Sequence, residues 1–300
     1  MSAATRQSER NPDGPRVVAI GGGHGQAKSL AAIRQFANSV TAIVSVADDG
    51  GSSGRLREAF GIPAPGDLRR CLDALLPGRS PLGDALEHRF GAGELEGHTF
   101  GNLLLAALAE TTGDFVEAVG EACRLLDTVG AVWPATTIPV TLCASTLDAE
   151  LAGQVRIMAT EGVTRVSLTP ADAHSPEGAI RAIKEAEMVV LGPGSLYTSV
   201  LAALVPRELC DALHFSDAKI VYVCNLRQQI PETTGYNVGH HVKALIEHGI
   251  TPDVVIADTD EIELGEVPDS VSLHIASLSS ANGAVHDVNL LASELVSLLG

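Results

Sequence analysis

The sequence predicts an α/β protein, a Rossmann-like, doubly wound and mostly parallel sheet with a small β insertion. Two observations lead there. Short β-branched apolar runs alternate along the chain with stretches of helical length and period. Several of these runs end in glycine-rich polar turns that open the next helix, the arrangement by which open parallel sheets hold phosphorylated ligands at their carboxyl ends. The 300 residues, 45% of them hydrophobic, can bury a sizeable core. One domain over 16–300 is expected, after a disordered tail over 1–15 that is polar, carries Pro12 and Pro15 and lacks the apolar stretch of a secretory signal.

In order, Val17–Ile20 reads as a strand, Ala27–Ala37 as a helix and Val40–Val46 as a buried strand, because both strand runs are apolar throughout. Arg55–Phe60 and Leu68–Leu76 read as short helices around the turn Ile62-Pro63-Ala64-Pro65-Gly66, and Gly83–Arg89 is partly helical. Phe100–Thr111 is a nearly all-apolar, buried helix, followed by Phe115–Leu126. Ile138–Ala144 is a strand, with Gln154–Met158 its expected hairpin partner, and Arg165–Leu168 is a further strand. Helix Pro176–Glu187 leads into strand Met188–Leu191, and Gly192–Ser199 turns into a helix ending near Val205. Lys219–Cys224, Asp253–Ala257 and Ser270–Ile275 are the remaining strands, with Val238–His248 and Val288–Leu299 helical.

Lys and Arg number 20 against 37 Asp and Glu, a net charge of -17. That balance argues against nucleic acid or an anionic membrane as partner. The five cysteines (71, 123, 143, 210 and 224) are scattered without a CxxC and read as reduced core residues of a cytoplasmic protein.

Three turns carry the candidate chemistry. Gly21-Gly22-Gly23-His24-Gly25 follows the first strand, and its glycines let a backbone approach a phosphate at a helix N-terminus. Asp48-Asp49-Gly50-Gly51-Ser52-Ser53-Gly54-Arg55-Leu56-Arg57 follows the second, with Asp48 placed 23 residues after Gly25, near where a Rossmann fold sets its ribose-binding acid. Two carboxylates cannot lie bare against phosphates: at about 5 Å and an effective dielectric of about 20, each like-charge pair costs roughly 3 kcal/mol. Asp48 and Asp49 therefore face sugar hydroxyls, pair with Arg55 or Arg57, bind a divalent cation, or cap the helix that follows. Gly192-Pro193-Gly194-Ser195 repeats the pattern, with Ser195 and Thr198 as anion donors.

Other candidates surround these turns. Asp67 is an N-cap or a ligand contact, and Arg69 a fork for phosphate or carboxylate. Thr99 caps the apolar helix that Gly97-His98-Thr99-Phe100-Gly101-Asn102 opens, and Asn102 needs a buried partner, a ligand hydroxyl or a backbone carbonyl. Asn225 and Gln228 sit past another strand end, and Tyr236 could stack on a base. His240 and His241 are adjacent and point apart, as surface or packing residues rather than metal ligands.

The segments ADDGGSSGRLR, PAPGDLRRCLDAL, GHTFGNLLLAALAE, LGPGSLYTS and ETTGY, in this order, resemble the YvcK family of gluconeogenesis factors and, more distantly, the CofD-type 2-phospholactate transferases. The resemblance runs from Arg16 to the C-terminus. It implies a cytoplasmic, Rossmann-like protein that binds UDP-sugars, chiefly UDP-N-acetylglucosamine, with roles in growth on gluconeogenic carbon, cell shape and envelope precursor supply. Gly21–Gly25, Asp48–Arg55, Asn102, Gly192–Thr198 and Asn225 would line the site. The chain departs from the family at His24, where Thr is usual, at Ile230-Pro231, where Pro-Gly is usual, and at Val285, where Arg often stands. Without an evident nucleophile or base, the expected function is a nucleotide-sugar sensor, a homo-oligomer that regulates a metabolic enzyme. The rival readings are a transferase holding Mg²⁺ through Asp48 or Asp49 and an NAD-dependent oxidoreductase.

Overall fold

A computed structural model describes residues 11–299 apart from 281, 282 and 284. The chain runs β1 (Arg16–Gly21), α1 (Gly23–Ile33), β2 (Ser39–Val44), α2 (Gly51–Phe60), α3 (Gly66–Ala74), α4 (Pro81–Leu86), α5 (Phe100–Thr112), α6 (Phe115–Leu125) and β3 (Ala131–Pro134). An insertion follows with β4 (Thr141–Ser145), β5 (Glu150–Ala152), α7 (Gln154–Met158) and β6 (Arg165–Thr169). Then come α8 (Glu177–Glu185), β7 (Met188–Leu191), a π-helical turn over Leu196–Leu201 that runs into α9 (Ala202–Leu204), α10 (Arg207–His214) and β8 (Lys219–Val223). The remaining elements are α11 (Val238–Glu247), β9 (Val254–Ala257), β10 (Ser272–Ile275) and α12 (Val288–Ser297).

The seven strands of the main sheet run in the order β10-β9-β8-β7-β1-β2-β3, every pairing parallel. From β1 the chain winds outward through β2 and β3, then crosses back to β7 and winds the other way. The reversal between β1 and β7 makes their carboxyl ends a topological switch point, where such sheets bind ligands. Strands β1, β7 and β9 are apolar along their length because both faces are covered. One group of helices (α1, α3, α5, α6, α12) and another (α8, α9, α10) each pack among themselves and flank the sheet.

The expected Rossmann-like fold with a β insertion is what forms, with four local differences. The insertion is a three-stranded antiparallel sheet, β5-β4-β6, so Arg165–Thr169 belongs to it and not to the main sheet. Gln154–Met158 is helical rather than the hairpin partner of β4; Glu150–Ala152 takes that place. Gly153 leaves the strand with φ +98°, and burial there follows a single residue, Ile157, not alternation. Strand β3 lies at an edge and ends in Pro134, where the missing N–H costs no ladder bond. Helix α10 follows Pro206 and buries Leu209, Ala212 and Leu213.

Helices α1 and α2 also start about one turn earlier than their apolar periodicity implies, at Gly23 and Gly51, because glycine's low helix propensity masks the start. Of the tail expected over 1–15, residues 1–10 lie outside the described residues. Residues 11–15 form a turn, Gly14 N–H to Asn11 O at 2.9 Å, and Asn38 N–H donates to Pro15 O at 3.0 Å.

The two glycine turns beside the switch point touch: a Cβ on Gly25 would lie 2.1 Å from Pro193 O. Gly25→Ala is expected to destabilise the fold by about 1–3 kcal/mol through overpacking. Gly120→Ala, exposed on α6 with no atom within 4 Å of the added methyl, is expected to stabilise it by about 0.8–1 kcal/mol. Urea denaturation of both variants checks the opposite signs.

Candidate functional site

At the carboxyl end of the main sheet, two of the three expected anion positions hold a carboxylate of the chain itself. Asp67 does not cap its own helix; the N-cap of α3 is Pro65, with no side-chain cap bond. Its buried carboxylate instead accepts the Gly23 N–H at the start of α1 and pairs with Arg70. Gly22 must be glycine, since a Cβ there would lie 2.6 Å from Asp67 Oδ2. Burial raises the Asp67 carboxyl, Arg70 pulls it down, the neighbouring Asp48 pushes it up, and the Gly23 N–H pulls it down again.

At the third turn the buried carboxylate of Glu232 does the same. Its Oε1 accepts Tyr197 N–H at 2.7 Å and Thr198 N–H at 3.3 Å, and its Oε2 accepts the Thr198 hydroxyl at 2.8 Å. Burial raises its pKa, against these hydrogen bonds. Thr198 is thus engaged within the protein.

Asn225 clasps Gly194 at two points, accepting its N–H at 3.0 Å and donating to its carbonyl at 2.9 Å. Its Nδ2 also donates to Gln229 Oε1 at 3.1 Å, and Gln229 Nε2 donates to Ser195 Oγ at 3.1 Å. The Ser29 hydroxyl donates to Gly192 O at 2.7 Å and binds the first turn to the third. Gln228 accepts Gly235 N–H at 2.9 Å. Tyr236 shares a hydroxyl bond of 2.8 Å with Tyr197 and lies against His240 and His241, so its ring belongs to an aromatic cluster and is not an open base platform.

The second turn differs. Asp48 Oδ1 accepts Gly50 N–H at 2.9 Å, and Asp49 Oδ1 accepts Val155 N–H at 3.0 Å, the start of α7. Neither side chain caps α2, whose first turn holds no acidic residue. Gly51, Ser52 and Ser53 therefore begin a ten-residue helix with no side-chain cap, beside Arg55, which donates to Glu96 O at 2.9 Å, and Arg57, which donates to Thr141 Oγ1 at 2.7 Å. A cleft of about 510 Å³ opens there, lined by Asp49, Gly51, Gly54, Arg55, Arg57 and Thr141 among others. A divalent cation at this turn would find Asp48 facing Asp67, with Asp49 turned toward the insertion.

Behind α2 runs a buried polar chain. Arg69 pairs with Glu87 and its Nε donates to Asn102 Oδ1 at 3.1 Å; Asn102 Nδ2 donates to Ser52 Oγ at 3.1 Å; Ser52 Oγ and His98 Nδ1 are 3.1 Å apart. Arg69 is therefore not a free fork for ligand. Asn102 finds neither a ligand hydroxyl nor a backbone carbonyl but two side chains. Because an arginine only donates, the direction of the chain is fixed, and the Ser52 proton is left to point at His98. Burial, then Arg55 and Arg89, lower the His98 pKa and favour the neutral ring that accepts it. Thr99 makes no side-chain cap for α5.

Sequence reasoning had no role for Glu232, Glu87, Arg70 or His98 in fixing these turns. Their one signal was polar residues inside otherwise apolar or glycine-rich segments. Gln26 was missed as well: buried, it donates to Ala19 O and Ile43 O, both at 3.0 Å, and ties β1 to β2 just below the site.

Sheet order and three converging turns define a Rossmann-like α/β protein with its ligand site at the switch point. A family model described as 2-phospho-L-lactate transferase CofD matches residues 17–291, and the chain belongs to that family. It is 42% identical over 246 residues to the gluconeogenesis factor of Halalkalibacterium halodurans, covering 80% of this chain and 76% of that one. A relative from Deinococcus radiodurans is 45% identical over 257 residues, 83% of this chain but 55% of its own length, so the chain spans about half of that relative. A crystal structure of a UPF0052 family member from Bacillus halodurans superposes with a TM-score of 0.88 at 34% identity, covering 95% of this chain and 99% of that one.

Behind β8, His241 is fully buried against Tyr222, whose hydroxyl lies 2.9 Å from Nδ1, and burial lowers its pKa to about 4. In the unfolded chain it titrates near 6.5. Below about pH 6.5 the unfolded state binds a proton that the fold refuses, so stability is lost as pH falls toward 4, by at most about 1.4 kcal/mol per pH unit. The raised Asp67 and Glu232 carboxyls act in the opposite sense at lower pH. Between pH 6 and pH 5 the wild type is expected to lose about 1 kcal/mol more than His241→Gln, as measured by denaturation at each pH.

Proposed function

We propose that this protein is a nucleotide-sugar-binding regulator, with UDP-N-acetylglucosamine as its ligand. The observation that carries the proposal is the start of α2, an uncapped helix N-terminus beside Arg55 and Arg57 and over a cleft, where the neighbouring turns already hold Asp67 and Glu232. Backbone N–H groups and the helix dipole there favour a diphosphate, and an arginine adds a charge-assisted bond. Asp48, next to this turn, is in reach of ribose or sugar hydroxyls.

Further support comes from the relatives named gluconeogenesis factor, which point to a role in gluconeogenic growth, with cell shape and envelope precursor supply behind it. The protein acts in the cytoplasm, as a homo-oligomer, on a metabolic enzyme. A net charge of -17 speaks against nucleic acid as a partner. Among the described residues no helix is long and apolar enough to cross a membrane.

Calorimetric titration with UDP-N-acetylglucosamine tests the proposal. The wild type is expected to bind, and Arg55→Gln to bind about tenfold or more weakly, the loss of one hydrogen bond to a charged group of about 1.5–3 kcal/mol, with an unchanged melting temperature. No heat at millimolar ligand with folded protein rejects it.

A further inference from the structure

The reversal of the sheet between β1 and β7 leaves a second cavity, separate from the cleft at α2. It encloses about 230 Å³, and its polar walls are His24, Lys28, Gly194, Asn225, Arg227 and Gln229. No Asp or Glu lines it. In a chain of net charge -17 that is an uncommon lining, and it differs from the α2 cleft, where Asp49 and Glu58 stand among the arginines.

Its cations are not neutralised by the protein. Of the four lysines, Lys219 donates to Leu298 O and Lys243 pairs with Glu247. Among the described residues Lys28 has no ion pair, and Arg227 meets only the carbonyl of Gly283. The floor is rigid, because Asn225 is spent on Gly194 and Gln229. A lysine and an arginine left unpaired over a fixed floor, with no carboxylate to repel an anion, form a receptor for an oxyanion.

The two positive places stay distinct. His24 borders the cavity, and the charges it feels on its far side are Arg70, Asp67, Glu87 and Arg69. Asp67 and Asp48 therefore stand between the cavity and α2, and an anion set between the two places would meet carboxylates.

We propose that the switch-point cavity is a second binding subsite, built on Lys28 and Arg227, for the phosphate or carboxylate group of a small metabolite. It goes beyond the nucleotide-sugar site and does not depend on it. The protein then reads two anionic signals, one at α2 and one at the crossover.

Inorganic phosphate and malonate, titrated at constant ionic strength and followed by calorimetry and amide chemical shifts, test this in the wild type, Lys28→Gln, Arg227→Gln and Arg55→Gln. Expected is saturable binding that weakens about tenfold in Lys28→Gln and in Arg227→Gln and is unchanged in Arg55→Gln. Binding of both anions supports a general oxyanion subsite; binding of phosphate or malonate alone supports the subsite and names its ligand class. Should Lys28→Gln fold poorly, which a thermal melt reports, Arg227→Gln carries the test. No binding to the wild type, or binding lost in Arg55→Gln and kept in Lys28→Gln and Arg227→Gln, overturns the proposal. Phosphate binding that needs Lys28, in a protein that ignores UDP-N-acetylglucosamine, sinks the nucleotide-sugar function and leaves this subsite standing.

Discussion

The constraint on which the site depends is the set of unpaired N–H groups that every helix presents at its start. A parallel sheet aims several of them at one edge, and each needs an acceptor. Here the chain supplies acceptors from distant elements: Asp67 of α3 at α1, Glu232 at the π-helical turn after β7, and Asp49 at α7. These bonds do two things at once. They tie α3, the β8 rim and the insertion onto the sheet edge, and they fill places where an anion would otherwise bind. The start of α2 is left without such a carboxylate, and so it becomes the place for a ligand's phosphates.

The buried chain from Glu87 through Arg69, Asn102 and Ser52 to His98 serves that opening. It draws on α3, α5 and the segments before α5, and it fixes Ser52 in the first turn of α2. A buried network of this kind is stable only when each member is satisfied, and its cost when broken is larger than the gain from any one bond. Close packing repeats the message in the backbone. A Cβ on Gly66 would lie 2.3 Å from Ser53 Oγ, and one on Gly101 would fall 2.7 Å from Arg69 Cγ, so the helices around α2 approach through glycines.

Much of this was legible in the sequence, and the limits have physical causes. Strands β1, β2, β7, β8 and β9 were readable because a doubly covered parallel strand is apolar throughout. The three glycine turns were readable as neighbours at one sheet edge. Strand β3 was hidden by its brevity and by Pro134, and Gln154–Met158 was misread because Val155 and Ile157 favour strands while Asp49 anchors a helix start there. The roles of single polar residues were less accessible. Asp67 looks like a cap for its own helix, yet it serves another; Arg69 looks like a ligand fork, yet it is buried with Glu87 and Asn102. Which helix a carboxylate serves is set by tertiary placement, and no local spacing encodes it.

Membership of the CofD family and the superposition on the UPF0052 structure secure the fold, while the distribution of carboxylates assigns work within it. The most direct test is a crystal structure with UDP-N-acetylglucosamine. The diphosphate is predicted on the N–H groups of Gly51–Gly54 beside Arg55, with Asp67 still on Gly23 and Glu232 still on Tyr197 and Thr198. A diphosphate on Gly23–Gly25, with Asp67 displaced, would contradict the account.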